Sequence, residues 1–258
     1  MMARVLIQEV HPDKGYPYLA LGGFDMLNPL GCAVNSKGLY IGTLGNVASS
    51  KITMAAYGGK NAGLSDCQVT NLVMSTCSDL PEAQKILESN SIYFPILDMH
   101  FIVADTSGNS FVWDRDAHGG QGHFTYNNGG SQVITNHPLY TDFPTSALKP
   151  DPDYPQYFSL DRYNILAKAI ADHASKFSPE DIKRTLSLVD ARGFSYGTHG
   201  YRAPKPVPFR TSWAVLWDLN EKSMQVKFYL RDKEGKPEAD GLPGIVYSDL
   251  YSFKLGGR

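Results

Sequence analysis

The chain has 258 residues, 42% of them apolar, and a net charge of −2. That apolar share supports a sizeable core and excludes a wholly disordered chain. The near-neutral charge argues against a general binder of nucleic-acid backbones, which needs clustered Lys and Arg. The three cysteines, Cys32, Cys67 and Cys77, are an odd number with no CxxC pair, which argues against a disulfide scaffold or a thiolate zinc site. No segment approaches the roughly 18 apolar residues of a membrane span. Residues 1–23 lack the long apolar stretch and cleavage site of a signal peptide. The expectation is a soluble globular protein, cytoplasmic if Met1 is the true start.

In chain order, VLIQEV (Val5–Val10) predicts a strand, His11 to Gly15 a turn, and YPYLALGGF a second strand, so the chain opens on a hairpin. Asn35-Ser36-Lys37-Gly38 predicts another turn, before a third strand LYIGTL (Leu39–Leu44). In CQVTNLVMSTC, Val69, Leu72, Val73 and Thr76 stand at helical spacing. Asp79-Leu80-Pro81-Glu82 then carries a cap, a first-turn proline and an acid three residues after the cap, which starts a second helix. MHFIVAD (Met99–Asp105) and SFVWDRD (Ser110–Asp116) predict a hairpin. HFTYNNGGSQVITNHP predicts another about Asn127-Asn128-Gly129-Gly130. Pro144 to Pro155 reads as a loop.

SLDRYNILAKAIADHASK predicts an amphipathic helix with Leu160, Tyr163, Leu166 and Ile170 on one face. Ser178-Pro179-Glu180-Asp181 starts the next one. TSWAVLWDL and SMQVKFYL are strands joined by Asn220-Glu221-Lys222, and YSDLYSFKL is a last strand. Hairpins dominate, so the class is α+β, with antiparallel sheets and helices on their outer faces.

Unaided, the chemistry is thin. The seven histidines include no HExxH pattern. His118 and His123 flank a glycine-rich stretch, but no carboxylate or thiol completes a metal site, and a hairpin loop accounts for the segment. The same GGQG is not followed by GK[ST] and is no phosphate loop. Asp114 and Asp116 are either paired carboxylates or, more simply, a solvated strand edge.

Four segments in order carry a resemblance. EVHPDKGYPYLALGGF followed by NSKGLYIG (Asn35–Gly42) is similar to a Gly-Tyr-rich hairpin leading into an Asn-x-x-Gly-Leu strand. HFIVADTSGNSFVWDRD (His100–Asp116), VITNHPLY (Val133–Tyr140) and SLDRYNIL (Ser159–Leu166) follow, the last two like Thr-Asn-x-Pro and Ser-x-x-Arg motifs. Together they resemble the choloylglycine hydrolase, penicillin acylase and acyl-CoA:6-aminopenicillanate acyltransferase family. These are linear amide hydrolases of the N-terminal-nucleophile class. The TSWAVLWDLNEKSMQVKFYL strand pair is also similar to that family's C-terminal hairpin.

The resemblance implies a four-layer αββα sandwich of two mainly antiparallel sheets, forming one domain over residues 1–258. It implies an N-terminal cysteine whose thiol attacks an amide carbonyl, with its own α-amine, of pKa near ~8, as the base. By match to the motifs, Asn136 is an oxyanion donor and Arg162 orients the nucleophile and lowers its pKa. Asn46 is a second donor if the strand is shifted by one residue, since ungapped counting falls on Gly45. Other readings stay open. Asn136 before His137-Pro138 suits a strand end. Arg162 at a helix start opposes the dipole unless an anion faces it. Asn46 suits a loop. The implied partner is a small acyl amide, with no cofactor, nucleic acid or membrane span, and with homo-oligomers possible. The loops Val47–Ser65 and Phe143–Tyr157, with their Tyr, Phe, Pro and Leu, suit an apolar acyl group.

The sequence also departs from the family. It starts Met1-Met2 and enters the pattern after the family's first hairpin, so the N-terminal Cys and the Arg and Asp that follow it have no counterpart. Gly31-Cys32 resembles a self-cleaving junction, but NSKGL follows without that Arg and Asp; the other reading of Cys32, as of Cys67 and Cys77, is a small buried apolar residue. Two functions stand. One is an amide hydrolase or acyltransferase using a cysteine not at the start of this chain. The other is a catalytically silent relative that binds or scaffolds. A missing hairpin would bare a sheet edge and favour dimers.

Overall fold

The computed structural model describes residues 5–23, 31–46, 63–94, 98–115, 122–140, 159–191, 194–195, 207–208, 210–238 and 242–257. The chain divides into two compact units. The first comprises residues 1–143, 217–223 and 253–258; the second comprises 144–216 and 224–252.

The first unit opens with four strands, β1 (Leu6–Val10), β2 (Tyr18–Gly22), β3 (Gly31–Asn35) and β4 (Tyr40–Gly45). After β5 (Leu64–Ser65) come two helices, α1 (Asp66–Thr76) and α2 (Leu80–Ser89), then β6 (Ile92–Tyr93), which pairs parallel with β5. β7 (Met99–Ala104), β8 (Asn109–Arg115) and β9 (Gly122–Asn128) complete a seven-stranded antiparallel sheet in the order β1-β2-β3-β4-β7-β8-β9.

The helices start where the side chains dictate. Ser65 and Gln68 form a capping box at α1, and Asp79 accepts the N–H of Glu82 at α2, with Pro81 in the first turn. Val69, Val73, Met74, Ala83 and Leu87 of these helices pack on Ala20, Ala33, Ile41, Phe101, Val103, Phe111 and Trp113 of one sheet face. Leu21, Val34 and Val112, on the opposite face, are buried too. Strands covered on both sides need not alternate apolar with polar residues.

That explains one difference from the sequence reading. Gly31–Asn35 is a full interior strand between β2 and β4, although GCAVN shows no alternation and only small or medium side chains. A second difference lies after β9. The Asn-Gly signal is followed by a turn, but residues 131–135 form no strand. Side chains replace the ladder: the Gln132 amide donates to the Thr125 carbonyl at 3.0 Å, and its oxygen accepts from the Ser110 hydroxyl at 2.6 Å.

The Asn-x-x-Gly-Leu segment has a structural explanation. Asn35 is fully buried, and its amide donates to the carbonyls of Met74 (3.0 Å) and Cys77 (2.8 Å) at the end of α1. Its oxygen accepts the N–H groups of Lys37 (3.0 Å) and Leu39 (3.1 Å), closing the β3–β4 turn. Gly38 completes that turn at φ +80°, where a Cβ would stand 2.8 Å from the Leu219 carbonyl oxygen.

The remaining elements are α3 (Ser159–Ala171), α4 (Pro179–Ser187), β10 (Phe194–Ser195), β11 (Val207–Pro208), β12 (Trp213–Asp218), β13 (Ser223–Asp232), β14 (Ile245–Tyr247) and β15 (Tyr251–Lys254). In the second unit β10 pairs antiparallel with β11, and α4 begins with a capping box between Ser178 and Asp181. Of the predicted α3 face, Leu166 is buried and Leu160, Tyr163 and Ile170 are half-buried. In the last sheet β13 pairs with β12, β14 and β15. The single strand expected over YSDLYSFKL is two, β14 and β15, broken where Ser248 accepts the Phe228 N–H at 3.0 Å through its hydroxyl. The class is α+β, with mainly antiparallel sheets and helices, as the hairpin pattern requires.

Candidate active site

One end of the seven-stranded sheet gathers polar residues. β4 ends at Gly45, and the next residue, Asn46, is buried, with its backbone N–H donating to the Asp98 carbonyl at 2.7 Å. The Asn136 side-chain amide donates to the Gly45 carbonyl at 2.7 Å. The two asparagines singled out in the sequence are thereby brought to one place, although 90 residues separate them. Arg162 is the fourth residue of α3, in the second unit, and is half-buried.

Beside them are buried charges. Arg115 Nη1 lies 3.7 Å from Asp98 Oδ1, with both side chains almost fully enclosed. Burial lowers the Arg115 guanidinium from its ordinary value. The register Phe101↔Trp113 sets the next residues out, His100 and Asp114, alongside one another. Both side chains are 0% exposed, with His100 Nδ1 2.9 Å from Asp114 Oδ1. The other oxygen, Oδ2, accepts the Leu139 N–H at 3.0 Å. Thr135 Oγ1 lies 3.1 Å from His137 Nδ1, both residues buried.

Asp114 is thus no solvated edge, which corrects the reading of it; Asp116 lies outside the described residues. The reason is the sheet's second buried face. Ser110, Val112 and Asp114 alternate onto it, so the acid three residues after Phe111 is carried inward. A signal was present: an Asp following FVW on a strand with no solvated face needs an internal partner. Its identity, His100, is set only by pairing. His123 stacks on Tyr140 at 4.3 Å between ring centroids, while His118 lies outside the described residues. So do most of Val47–Ser65 and all of Phe143–Tyr157.

The cysteines are not arranged for attack. Cys32 sits within β3 between Leu21 and Gly42, 8% exposed. Burial pushes its thiol up to about 12, partly offset by the nearby Trp217 and Tyr40 side chains. The rings of those two residues are 5.9 Å apart. Cys67 is pushed up to about 11 by burial and by Asp66, and burial raises Cys77 as well. A thiol so shifted is protonated near neutral pH and a poor nucleophile.

No protein-family model matches the chain, and no curated protein matches it by sequence. Solved structures do. Penicillin V acylase from Agrobacterium tumefaciens superposes with a TM-score of 0.57 at 19% identity, covering 95% of this chain and 75% of the acylase. A mutant conjugated bile acid hydrolase from Clostridium perfringens gives a TM-score of 0.60 at 12% identity over 98% of this chain and 88% of its own. The chain shares its fold with these acylase and hydrolase structures. A second variant of the bile acid hydrolase agrees, with a TM-score of 0.54 at 15% identity over 93% of this chain and 81% of that one. Among the described residues, no helix is long and apolar enough to cross a membrane.

Proposed function

We propose that the chain hydrolyses, or transfers the acyl group of, a linear amide of a small molecule, working as one catalytic domain. The observation that carries this reading is the approach of Asn136 to the Gly45–Asn46 segment. An amide carbonyl under thiol attack becomes an oxyanion, and neutral side-chain amides are suitable preorganised donors to it. The Gly45 carbonyl accepts from the Asn136 amide at 2.7 Å, which fixes the direction of that side chain. Asn46 is the second donor in this reading, and Arg162 holds the nucleophile's thiol as thiolate. The shift of two thiols to about 12 and about 11, and the burial that raises the third, support a nucleophile other than Cys32, Cys67 and Cys77. That nucleophile is an N-terminal cysteine, whose α-amine serves as base.

The test is a panel of acyl amides, from acylated amino acids to penicillin-type and bile-salt-type amides. It is run on the full gene product, with and without replacement of an N-terminal cysteine. Turnover that vanishes when that cysteine is replaced by alanine supports the reading. Binding of acyl amides without turnover by any form overturns it in favour of a silent binding protein.

A further inference from the structure

We propose that His100 and Asp114 form a buried dyad that positions Asn136, by fixing the segment that carries it to the sheet. This rests on the reading of Asn136 as an oxyanion donor. Neither member is a catalytic residue; both act through the asparagine.

The argument begins with the segment after β9. Residues 131–135 make no strand, so no sheet ladder fixes their position. The bonds that tie this stretch to β8 come from side chains. At one end Gln132 meets the Ser110 hydroxyl at 2.6 Å, and at the other the Leu139 N–H donates to Asp114 Oδ2 at 3.0 Å. Ser110 and Asp114 are four residues apart on one strand and so share a face. They bracket the segment, and Asn136 lies between the two anchors, reaching Gly45 at 2.7 Å.

A side chain at 0% exposure that carries a carboxylate is costly unless donors occupy its oxygens. Here two donors converge on it from different elements: the ring of His100 on β7 and the backbone of Leu139. Only a group that accepts on both ends satisfies them at once. An asparagine has a single acceptor and must turn its NH₂ toward one of the donors. The imidazole also fixes the rotation of the carboxylate, because Nδ1 holds Oδ1 at 2.9 Å and leaves Oδ2 facing Leu139. His100 stands directly across from Leu44, next to the Gly45 whose carbonyl Asn136 uses. The dyad therefore ties the Asn136 segment to the same strand ends that carry the other half of the site. Misplacing a donor by about 1 Å is enough to lose much of its stabilisation of a developing charge.

The test uses the full chain and compares wild type with Asp114→Asn, His100→Leu and His100→Asn. Hydrogen exchange is followed by mass spectrometry and NMR, together with the side-chain amide resonances of Asn136. In Asp114→Asn and His100→Leu, exchange over residues 132–139 rises at least tenfold and the Asn136 amide signals shift, while α1 and the β2–β3 pair keep their protection. His100→Asn, which retains a donor toward Asp114, restores most of the protection. With an acyl amide substrate, the first two variants lose kcat at least tenfold with KM little changed. Unchanged exchange at 132–139, or protection lost evenly over the whole sheet, overturns the proposal. Should Asp114→Asn not fold, the two His100 variants decide by the same readouts. The exchange measurement needs no turnover. Local loosening without hydrolysis by any form would sink the functional reading alone, while hydrolysis with unchanged exchange and kcat would sink the dyad alone.

Discussion

Asn136 donates its side-chain amide to the carbonyl of Gly45 across 2.7 Å, joining the loop after β9 to the end of β4. If this amide also stabilises an oxyanion, Asn136→Ala lowers kcat by about 10²–10³, or roughly 3–4 kcal/mol, with KM little affected. Steady-state kinetics with any amide the protein turns over checks this. A KM effect with unchanged kcat would assign Asn136 to substrate binding only.

Asn35 makes four hydrogen bonds from a fully buried position. Asn35→Ala leaves two carbonyls and two N–H groups without it and destabilises the fold by about 3 kcal/mol. Urea denaturation checks the magnitude. A loss below about 1 kcal/mol would mean that water replaces the amide freely.

Cys32 gives the protein an alkaline weakness. Its native thiol holds its proton up to about 12, whereas an unfolded cysteine releases it near about 8.5. The native state thus binds more protons between these values. The stability this contributes is complete below the unfolded value and is lost as pH rises toward the folded one, at up to about 1.4 kcal/mol per pH unit. Urea titrations from pH 7 to 11 show a shallower decline for Cys32→Ala than for wild type. The thiol also resists alkylation at pH 8 until the protein unfolds.

The acid side has a different source. Arg210 meets Asp232 through two contacts of 2.6 Å and holds its carboxyl below the ordinary carboxylate range. This contribution is present above the unfolded value of about 3.9 and is lost as pH falls through the lower folded value. The Asp232 side chain is 37% exposed, so solvent screening keeps the effect modest. Asp232→Asn gives a flatter stability profile between pH 5 and 2 in denaturant titrations. An identical profile would mean that the ion pair contributes nothing.

The sequence by itself determined the local elements whose signals are short-range. The caps at Asp79 and Ser178 and the Asn-x-x-Gly turn lie where hydrogen bonds between near neighbours put them. The hairpin pattern was enough to expect an α+β class, and the family resemblance carried by four short segments implied the sandwich. β3 and the dyad of His100 and Asp114 were not legible. β3 carries no alternation because both its faces are buried. An acid such as Asp114 reads as a solvated edge until a second strand supplies its partner. The residues after β9 suit a strand by sequence, but Gln132 side-chain bonds to Ser110 and Thr125 take the place of a ladder there. Tertiary structure alone decided that Asn136 meets Gly45 and that Cys32 is enclosed. Both depend on which strands lie side by side, and pairing between distant segments leaves no periodic trace in the residues themselves.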